Sequence, residues 1–548
     1  MKSKPQIYLA LAGICILVYF NSFFCGFVYN DTSIIFAHPF ISRPSHFLLD
    51  PANLLYSLNF VIAKNNPLIY HVTNVLLHTI NTILIFIFLR LFFRTEASFL
   101  GAMLFAVHPV HTEAVTWILG RGSVITALSI LGIYLLYSNA TYGEDRNEKK
   151  RASSQKIEII PYCASLLLFS YSLIPGYSFY LAVPFFLILS DITFHRARRN
   201  WKWWVPFLMI LATRIMLAYT VSSAGIDSAV GEVETKSSWD SLPAGFIYSI
   251  FTHFWLLIWP ARLTPFHQPI SVSASGIQNS AGGAVLGTIG LCLLVIALPF
   301  LFRKAKEIFF GIALFILFLS PTYGPITVTP PVAERYLYFP SVLLCIVFAF
   351  FYDRYPFQTK NGKLAAVILL LFIIAAYAAR TVTRNSDWRD QSRLWRVTLE
   401  ASPLNATAHN NMGYAYQKEG NVEMAIKEFM LAIRLQPDLF DAYNNVGGVY
   451  HRLGRLQEAA DTFKDLLDKN PNFFKAYNNL GLIFHEMGKA AEAQAAFQKA
   501  IEINPVYAVA YYNLSLLYDK TGRENEAQAA YRKAIELDPA LEGLPHRP

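Results

Sequence analysis

The chain has 548 residues, of which 54% are apolar and 15% charged, and it carries a net charge of +9. It is too long for one ordinary domain and too apolar for ordinary soluble usage. From residue 384 to the end, 19 Lys/Arg stand against 21 Asp/Glu, so the excess of +11 belongs to the earlier part, where it sits in short loops beside apolar runs. That is the footprint of the positive-inside rule and excludes a nucleic-acid surface. The five cysteines, Cys15, Cys25, Cys163, Cys292 and Cys345, form no CxxC pair. Neither a zinc site nor a disulfide framework follows from them.

The first apolar run, Gln6 to Phe24, follows Lys2 and Lys4. At about 19 residues it is long enough to span a bilayer and reads as a signal anchor rather than a cleaved leader. Further runs at 71–93, 96–117, 122–138, 158–174, 177–190, 203–220, 281–301, 307–322, 335–352 and 362–381 complete eleven candidate spans. Basic clusters recur at alternate boundaries: Arg90/Arg94, Arg146/Lys149/Lys150/Arg151/Lys156, Arg196/Arg198/Arg199/Lys202, Arg303/Lys304/Lys306 and Arg354/Lys360/Lys363. Placing them all in the cytoplasm gives a consistent zigzag with the N-terminus inside and the C-terminal part outside. The run Phe246 to Trp259 lacks basic neighbours, lies between an acidic and a polar stretch, and reads as a re-entrant or interfacial helix. As a twelfth span it would put the C-terminal part in the cytoplasm. The outer side then collects Asn30-Asp31, His108, His111, Glu113, Arg121, Tyr323, Glu334-Arg335 and Arg384. Ionisable groups at membrane depth are costly, and a set converging on one side points to a functional cavity. For any one of them, snorkelling is the plainer reading.

Beyond residue 383 the pattern repeats. Prolines stand at 403, 437, 471, 505 and 539, and glycines at 420, 454, 488 and 522, with a period of 34. Ala425, Ala459, Ala493 and Ala527 keep the same period, as do Gly413, Gly447 and Gly481, with Ser515 in the fourth place. This is the tetratricopeptide (TPR) signature. The expected fold is all-α: a polytopic helical domain over 1–383, a connector with a half-repeat over 384–403, and four repeats over 404–548. The first helix of each repeat carries Asn411, Asn445, Asn479 or Asn513, and the first three follow Asn410, Asn444 and Asn478. An asparagine amide can pair with a peptide bond, so a ladder of them is a candidate peptide-binding groove. In this it resembles the asparagine-lined groove of O-linked N-acetylglucosamine transferase. Inter-helix bonding within the array is the equal alternative.

Several segments of the first part occur in a telling order. They are Phe27-Val28-Tyr29-Asn30-Asp31, then Asn66-Pro67-Leu68-Ile69-Tyr70-His71-Val72-Thr73-Asn74 with His78. His108-Pro109-Val110-His111-Thr112-Glu113-Ala114-Val115 with Gly120-Arg121 follows. Ala333-Glu334-Arg335-Tyr336-Leu337-Tyr338 and Arg384-Asn385-Ser386-Asp387-Trp388 complete the set. Together with the repeats, this set resembles the transmembrane-and-TPR-containing O-mannosyltransferases and their bacterial relatives, of the GT-C class. The resemblance implies transfer of a sugar, with inversion, from a polyprenyl- or dolichyl-phosphate carrier to a serine or threonine of an acceptor protein on the outer or lumenal side.

It also implies that Asp31 is the general base that takes the hydroxyl proton. For Asp31, ordinary helix capping is the plain reading. The leaving phosphate needs cationic or hydrogen-bonding help, for which Arg335, Arg121, His108 and His111 are candidates, with Glu334 and Glu113 beside them. For each histidine alone a helix-packing hydrogen bond is the plainer reading. The chain departs from the family pattern at Asn30, at Gly122-Ser123 and at Tyr177-Ser178, where the family usually carries charged residues. A non-catalytic membrane scaffold is therefore the competing reading. A transporter is disfavoured by the lack of repeated membrane halves. The donor is a substrate, and no cofactor or metal is expected. The short loops favour a bacterial inner membrane with a periplasmic array, and an endoplasmic-reticulum membrane with a lumenal array is the alternative.

Overall fold

The computed structural model describes residues 4–36, 41–142, 158–174, 178–194, 196–223, 242–260, 263–264, 272–273, 276–277, 281–322, 332–354 and 360–543. The basic loop at 146–156, the acidic stretch 224–240, Tyr177 and Tyr323 lie outside them. The chain divides into two compact units, Met1–Leu394 and Trp395–Pro548. Residues 384–394, read in the sequence as connector, are thus part of the first unit.

Among the described residues, the regular structure of the first unit is helical, apart from a two-residue ladder that pairs Val272 with Ile277. Its helices are α1 (Lys4–Tyr19), α2 (Asp31–Ile35), α3 (Pro51–Ala63), α4 (Pro67–Leu89), α5 (Thr95–Val107), α6 (Thr112–Thr116) and α7 (Arg121–Tyr142). There follow α8 (Ile159–Ser172), α9 (Val183–Thr193), α10 (Ala197–Ser223), α11 (Leu242–Ile258), α12 (Ala281–Lys304), α13 (Lys306–Leu319), α14 (Val342–Arg354) and α15 (Lys360–Asp387). Among the described residues, Pro5–Phe24, Pro67–Leu89, Ile118–Thr141 and Val367–Asp387 are long and apolar enough to cross a membrane.

One expected span is broken. The run 96–117 is helical only to Val107, because His108 precedes Pro109 and takes an extended backbone, ψ 125°. Proline disfavours helix in the residue before it. The chain then makes a 3-10 turn at Pro109–His111 before α6. The segment Phe246 to Trp259 forms most of α11.

A polar stripe on α4 organises the bundle. His71, Asn74, His78, Asn81 and Thr82 are all buried, at helical spacing in an otherwise apolar sequence. A polar group cannot face hydrocarbon without a partner, and each of these has one. His71 Nε2 donates to the Cys25 carbonyl at 3.1 Å, and Asn74 Nδ2 donates to the Val115 and Trp117 carbonyls at 3.1 and 3.2 Å. Because His78 Nε2 donates to Ala106 O, its Nδ1 accepts from the Tyr338 hydroxyl at 2.8 Å. Asn81 Nδ2 donates to Val124 O at 2.8 Å.

In the second unit, four helix pairs follow the period of 34: α17 (Ala406–Lys418) with α18 (Val422–Leu435), α19 (Phe440–Arg452) with α20 (Leu456–Lys469), α21 (Phe474–Glu486) with α22 (Ala490–Ile503), and α23 (Ala508–Lys520) with α24 (Glu524–Leu537). Helix α16 (Gln391–Ala401) leads into them. Gly420, Gly454, Gly488 and Gly522 take φ of 69° to 81° between the helices of each pair, a conformation most residues avoid. At Gly447 a Cβ would stand 2.8 Å from the Phe463 ring, so the glycine allows the buried phenylalanine to close the pair.

Candidate functional site

The loop between α1 and α3 carries Asp31 at the start of α2. The preceding residue but one, Tyr29, has φ +55°, a left-handed conformation unusual outside glycine. This turn sends Asp31 back into the protein. Its Oδ2 accepts from the Val28 N–H at 2.9 Å and its Oδ1 from the Leu119 N–H at 3.3 Å. The side chain is therefore not the cap of α2; it ties its own loop to the turn ahead of α7. Asp31 is fully buried. Burial pushes its carboxyl up to about 7, against the opposing pull of the two N–H donors and of Arg121.

The segment from His108 to Arg121 folds around this point. Gly120 is forced by crowding, since a Cβ there would lie 2.3 Å from the Glu113 carbonyl oxygen. Glu113 is fully buried and pairs with Arg335 twice, through the guanidinium and through the Arg335 backbone N–H at 2.9 Å. Arg335 keeps 19% of its side chain exposed, against none for Glu113. Its guanidinium lies 5.7 Å from the centre of the Trp117 ring and 4.9 Å from that of Tyr336. Arg121 is buried and meets neutral acceptors only. Its Nε donates to Asn74 Oδ1 at 2.6 Å, and its Nη2 to Asn59 Oδ1 at 2.8 Å and Tyr70 O at 3.1 Å. Glu334 turns the other way, to Arg384 at 3.2 Å, and Arg384 also reaches Asp387 at 3.2 Å.

Asp31, Glu113, Arg121 and Arg335 are thus brought to one region of the first unit, around Trp117. The histidines do not join them as free groups. His108 donates through Nε2 to Leu257 O at 2.9 Å and accepts the Val110 N–H on Nδ1. His111 bonds Ser341 Oγ at 2.8 Å and packs on the Phe105 ring, with centroids 4.4 Å apart. Both rings are buried and serve helix packing.

The Arg384–Trp388 motif and Gln391 contribute as well. Asn385 accepts from Thr116 Oγ1 at 2.8 Å and donates to Val18 O and Asn21 Oδ1 at 3.0 and 2.9 Å. Trp388 stacks on Trp117 at 6.0 Å, and Gln391 donates to the Tyr29 carbonyl at 3.1 Å. The end of α15 therefore braces the Asp31 loop. Beside Asn74 and Asn385 of the quoted motifs, the asparagines at 59 and 81 in apolar helices are the signal that could have completed this frame.

In the array, Asn445 donates to Asn410, Asn479 to Asn444 and Asn513 to Asn478, each at 2.9 Å. The asparagines thus bond from repeat to repeat, and each donating amide still carries a second N–H. Asn411 lies half-buried on α17.

A tetratricopeptide repeat model matches residues 404–470 and 472–540. Among curated proteins, the Homo sapiens protein O-mannosyl-transferase TMTC3 is 27% identical over 473 residues, covering 78% of this chain and 51% of that protein. The Drosophila melanogaster Tmtc3 is 24% identical over 535 residues, covering 79% and 55%. The Homo sapiens TMTC4 is 26% identical over 452 residues, covering 71% and 58%. The chain spans about half the length of these relatives. Among solved structures, a crystal structure of MamA is 26% identical and covers 30% of this chain and 94% of its own, with a TM-score of 0.26.

Proposed function

From the premise that this chain is a TPR-bearing relative of the TMTC protein O-mannosyl-transferases, we propose that it is an inverting membrane mannosyltransferase. Its donor is a polyprenyl- or dolichyl-phosphate mannose, and its acceptor a serine or threonine of a protein held by the repeats. The observation that carries the reading is the meeting of Asp31 with the His108–Arg121 segment through the Leu119 bond. An acid with a carboxyl near neutrality stands near Arg121, and the same segment carries Glu113, which pairs with Arg335, the groups that acid–base transfer to a phosphate leaving group calls for.

In this reading the acceptor hydroxyl oxygen attacks the anomeric carbon, and the bond from that carbon to the phosphate oxygen breaks. Asp31 takes the hydroxyl proton. Arg335, aimed by Glu113 and partly exposed, meets the charge that collects on the departing phosphate. An apolar cavity of about 410 Å³ between α11, α12, α13 and α14, lined by Ile250, Phe254, Leu293, Phe315 and Leu343 among others, supports an isoprenoid carrier. The outer or periplasmic side is the compartment the loop charges favour.

A membrane scaffold without catalysis is the second reading, favoured by Asn30 and Gly122-Ser123 standing where the family carries charge. The deciding experiment is mannose transfer from polyprenyl-phosphate mannose in membranes, native protein against Asp31→Asn. Transfer that falls at least about a hundredfold in the variant supports the base. Equal transfer by both rules Asp31 out, and none by either, across several sugar donors, moves the assignment to the scaffold.

A further inference from the structure

Most glycines on the first helices of the repeats have a packing reason. At Gly413, Gly447 and Gly481 a Cβ would stand 2.7, 2.8 and 2.6 Å from a phenylalanine ring. Gly448 has none: nothing lies within 4 Å of the Cβ it lacks. It sits inside α19, where the backbone is helical and suits any ordinary residue. A glycine in mid-helix weakens the helix relative to alanine. Neither packing nor backbone therefore accounts for it.

The period of 34 puts Tyr414, Leu482 and Leu516 at the same place in the other repeats. Leu482 is half-buried and rests against the cluster that holds Phe497, Leu514 and Leu517. One repeat earlier, the equivalents Phe463, Leu480 and Ile483 form a cluster of the same kind. There glycine stands where the leucine would, so the row of apolar side chains has a gap one leucine wide.

The gap has polar neighbours. Asn444 and Asn445 lie one turn ahead of Gly448 on α19, at the spacing that shares a helix face. Both are half-buried. Asn444 Oδ1 accepts from Asn479, and Asn445 Nδ2 donates to Asn410. Among the described residues, Asn444 Nδ2 and Asn445 Oδ1 have no protein partner. A donor and an acceptor side by side match the C=O and N–H of an extended chain.

We propose that Gly448 floors a side-chain pocket of the array, which takes a leucine-sized aliphatic side chain of an extended polypeptide while Asn444 and Asn445 pair with that polypeptide's backbone. The size follows from what the chain itself places at this point in the next two repeats. This inference deepens, and rests on, the reading that the repeats hold an acceptor polypeptide.

The test is equilibrium binding of two fluorescent peptides to the full-length protein in detergent: a short serine–threonine peptide with a central leucine, and its copy with alanine there. The native protein is expected to bind the leucine peptide about tenfold more tightly. Gly448→Leu should bind the two alike, at the native affinity for the alanine peptide. It should also melt no earlier than the native protein, because a good helix former replaces glycine in open space. Loss of preference without loss of stability separates a filled pocket from a damaged fold. If Gly448→Leu fails to fold, Gly448→Ala replaces it and should narrow the preference.

A native protein that binds both peptides alike overturns the proposal and leaves the array as a peptide holder. So does a preference that survives the substitution, or an equal loss of both peptides in Gly448→Leu, which marks a structural part. Saturable binding of neither peptide removes the acceptor reading as well. A Gly448-dependent preference in a protein that transfers no sugar leaves this inference standing and removes the catalytic one.

Discussion

Asp31 accepts hydrogen bonds from two backbone N–H groups, that of Val28 in its own loop and that of Leu119, 88 residues further along the chain than Asp31. Its carboxyl, raised to about 7 from 3.8, is protonated in acid and ionised above neutrality. In the proposed reading it acts as a base only when ionised, so transfer should rise with pH through about 7, and a pH–rate profile of the native protein checks this. Stability runs the opposite way. Folding raises the proton affinity, so the folded state binds the proton more tightly, and stability falls as pH rises from about 4 through 7. Asp31→Asn should flatten that slope in thermal melts at pH 5 and pH 8. Glu113 is a separate case. Truncating it to alanine leaves Arg335 without its carboxylate, and the cost should be about 3 kcal/mol, because Arg335 keeps a solvent edge. Urea or thermal unfolding of Glu113→Ala in detergent measures it. At this scale the sequence singled out Asp31, Glu113 and Arg335, since all stand in motifs. It did not disclose their partners. That Glu113 takes Arg335 and Glu334 takes Arg384 depends on contacts across 222 and 50 residues.

Elements were legible where a period enforced them. The 34-residue repeat predicts each helix pair of the array, because small residues, turning glycines and helix-ending prolines recur in step. The membrane part offers only apolar runs, and these cannot say where a helix stops inside one. Pro109 was the available signal in the run 96–117, and it ends α5 at Val107. The tight turn that follows has a direct test. Gly120→Ala would drive a methyl group into the Glu113 carbonyl and the Ala114 backbone, which lies 2.9 Å away. Backbone cannot yield as a side chain can, so Gly120→Ala should fail to accumulate as folded protein. Gly290→Ala on α12, where nothing lies within 4 Å of the added Cβ, should express and melt as the native protein. Size-exclusion profiles of the two variants in detergent read the difference.

For the whole molecule, the positive-inside reading places Asn30 outside, Arg303 inside and the array outside. In a cysteine-free background, Asn30→Cys and Lys499→Cys should react with an impermeant maleimide in intact cells, and Arg303→Cys only after lysis. Labelling of Arg303→Cys in intact cells, or of Lys499→Cys only after lysis, would reverse the assignment for that part. The charge pattern was legible because it lies in loops and needs no partner. The polar stripe on α4 was not, since its meaning lies in what covers it. That stripe also sets an order of events during synthesis. His78 and Asn81 both bond the Tyr338 hydroxyl, and for His78 that partner is made 260 residues later. At about 5–20 residues per second, α4 waits roughly ten to fifty seconds for it. During that interval an imidazole and an amide stand at membrane depth without their final partner. The insertion machinery has to shelter this helix from lipid until α14 arrives, so a nascent chain stalled before residue 338 should remain bound to that machinery rather than partition into the bilayer.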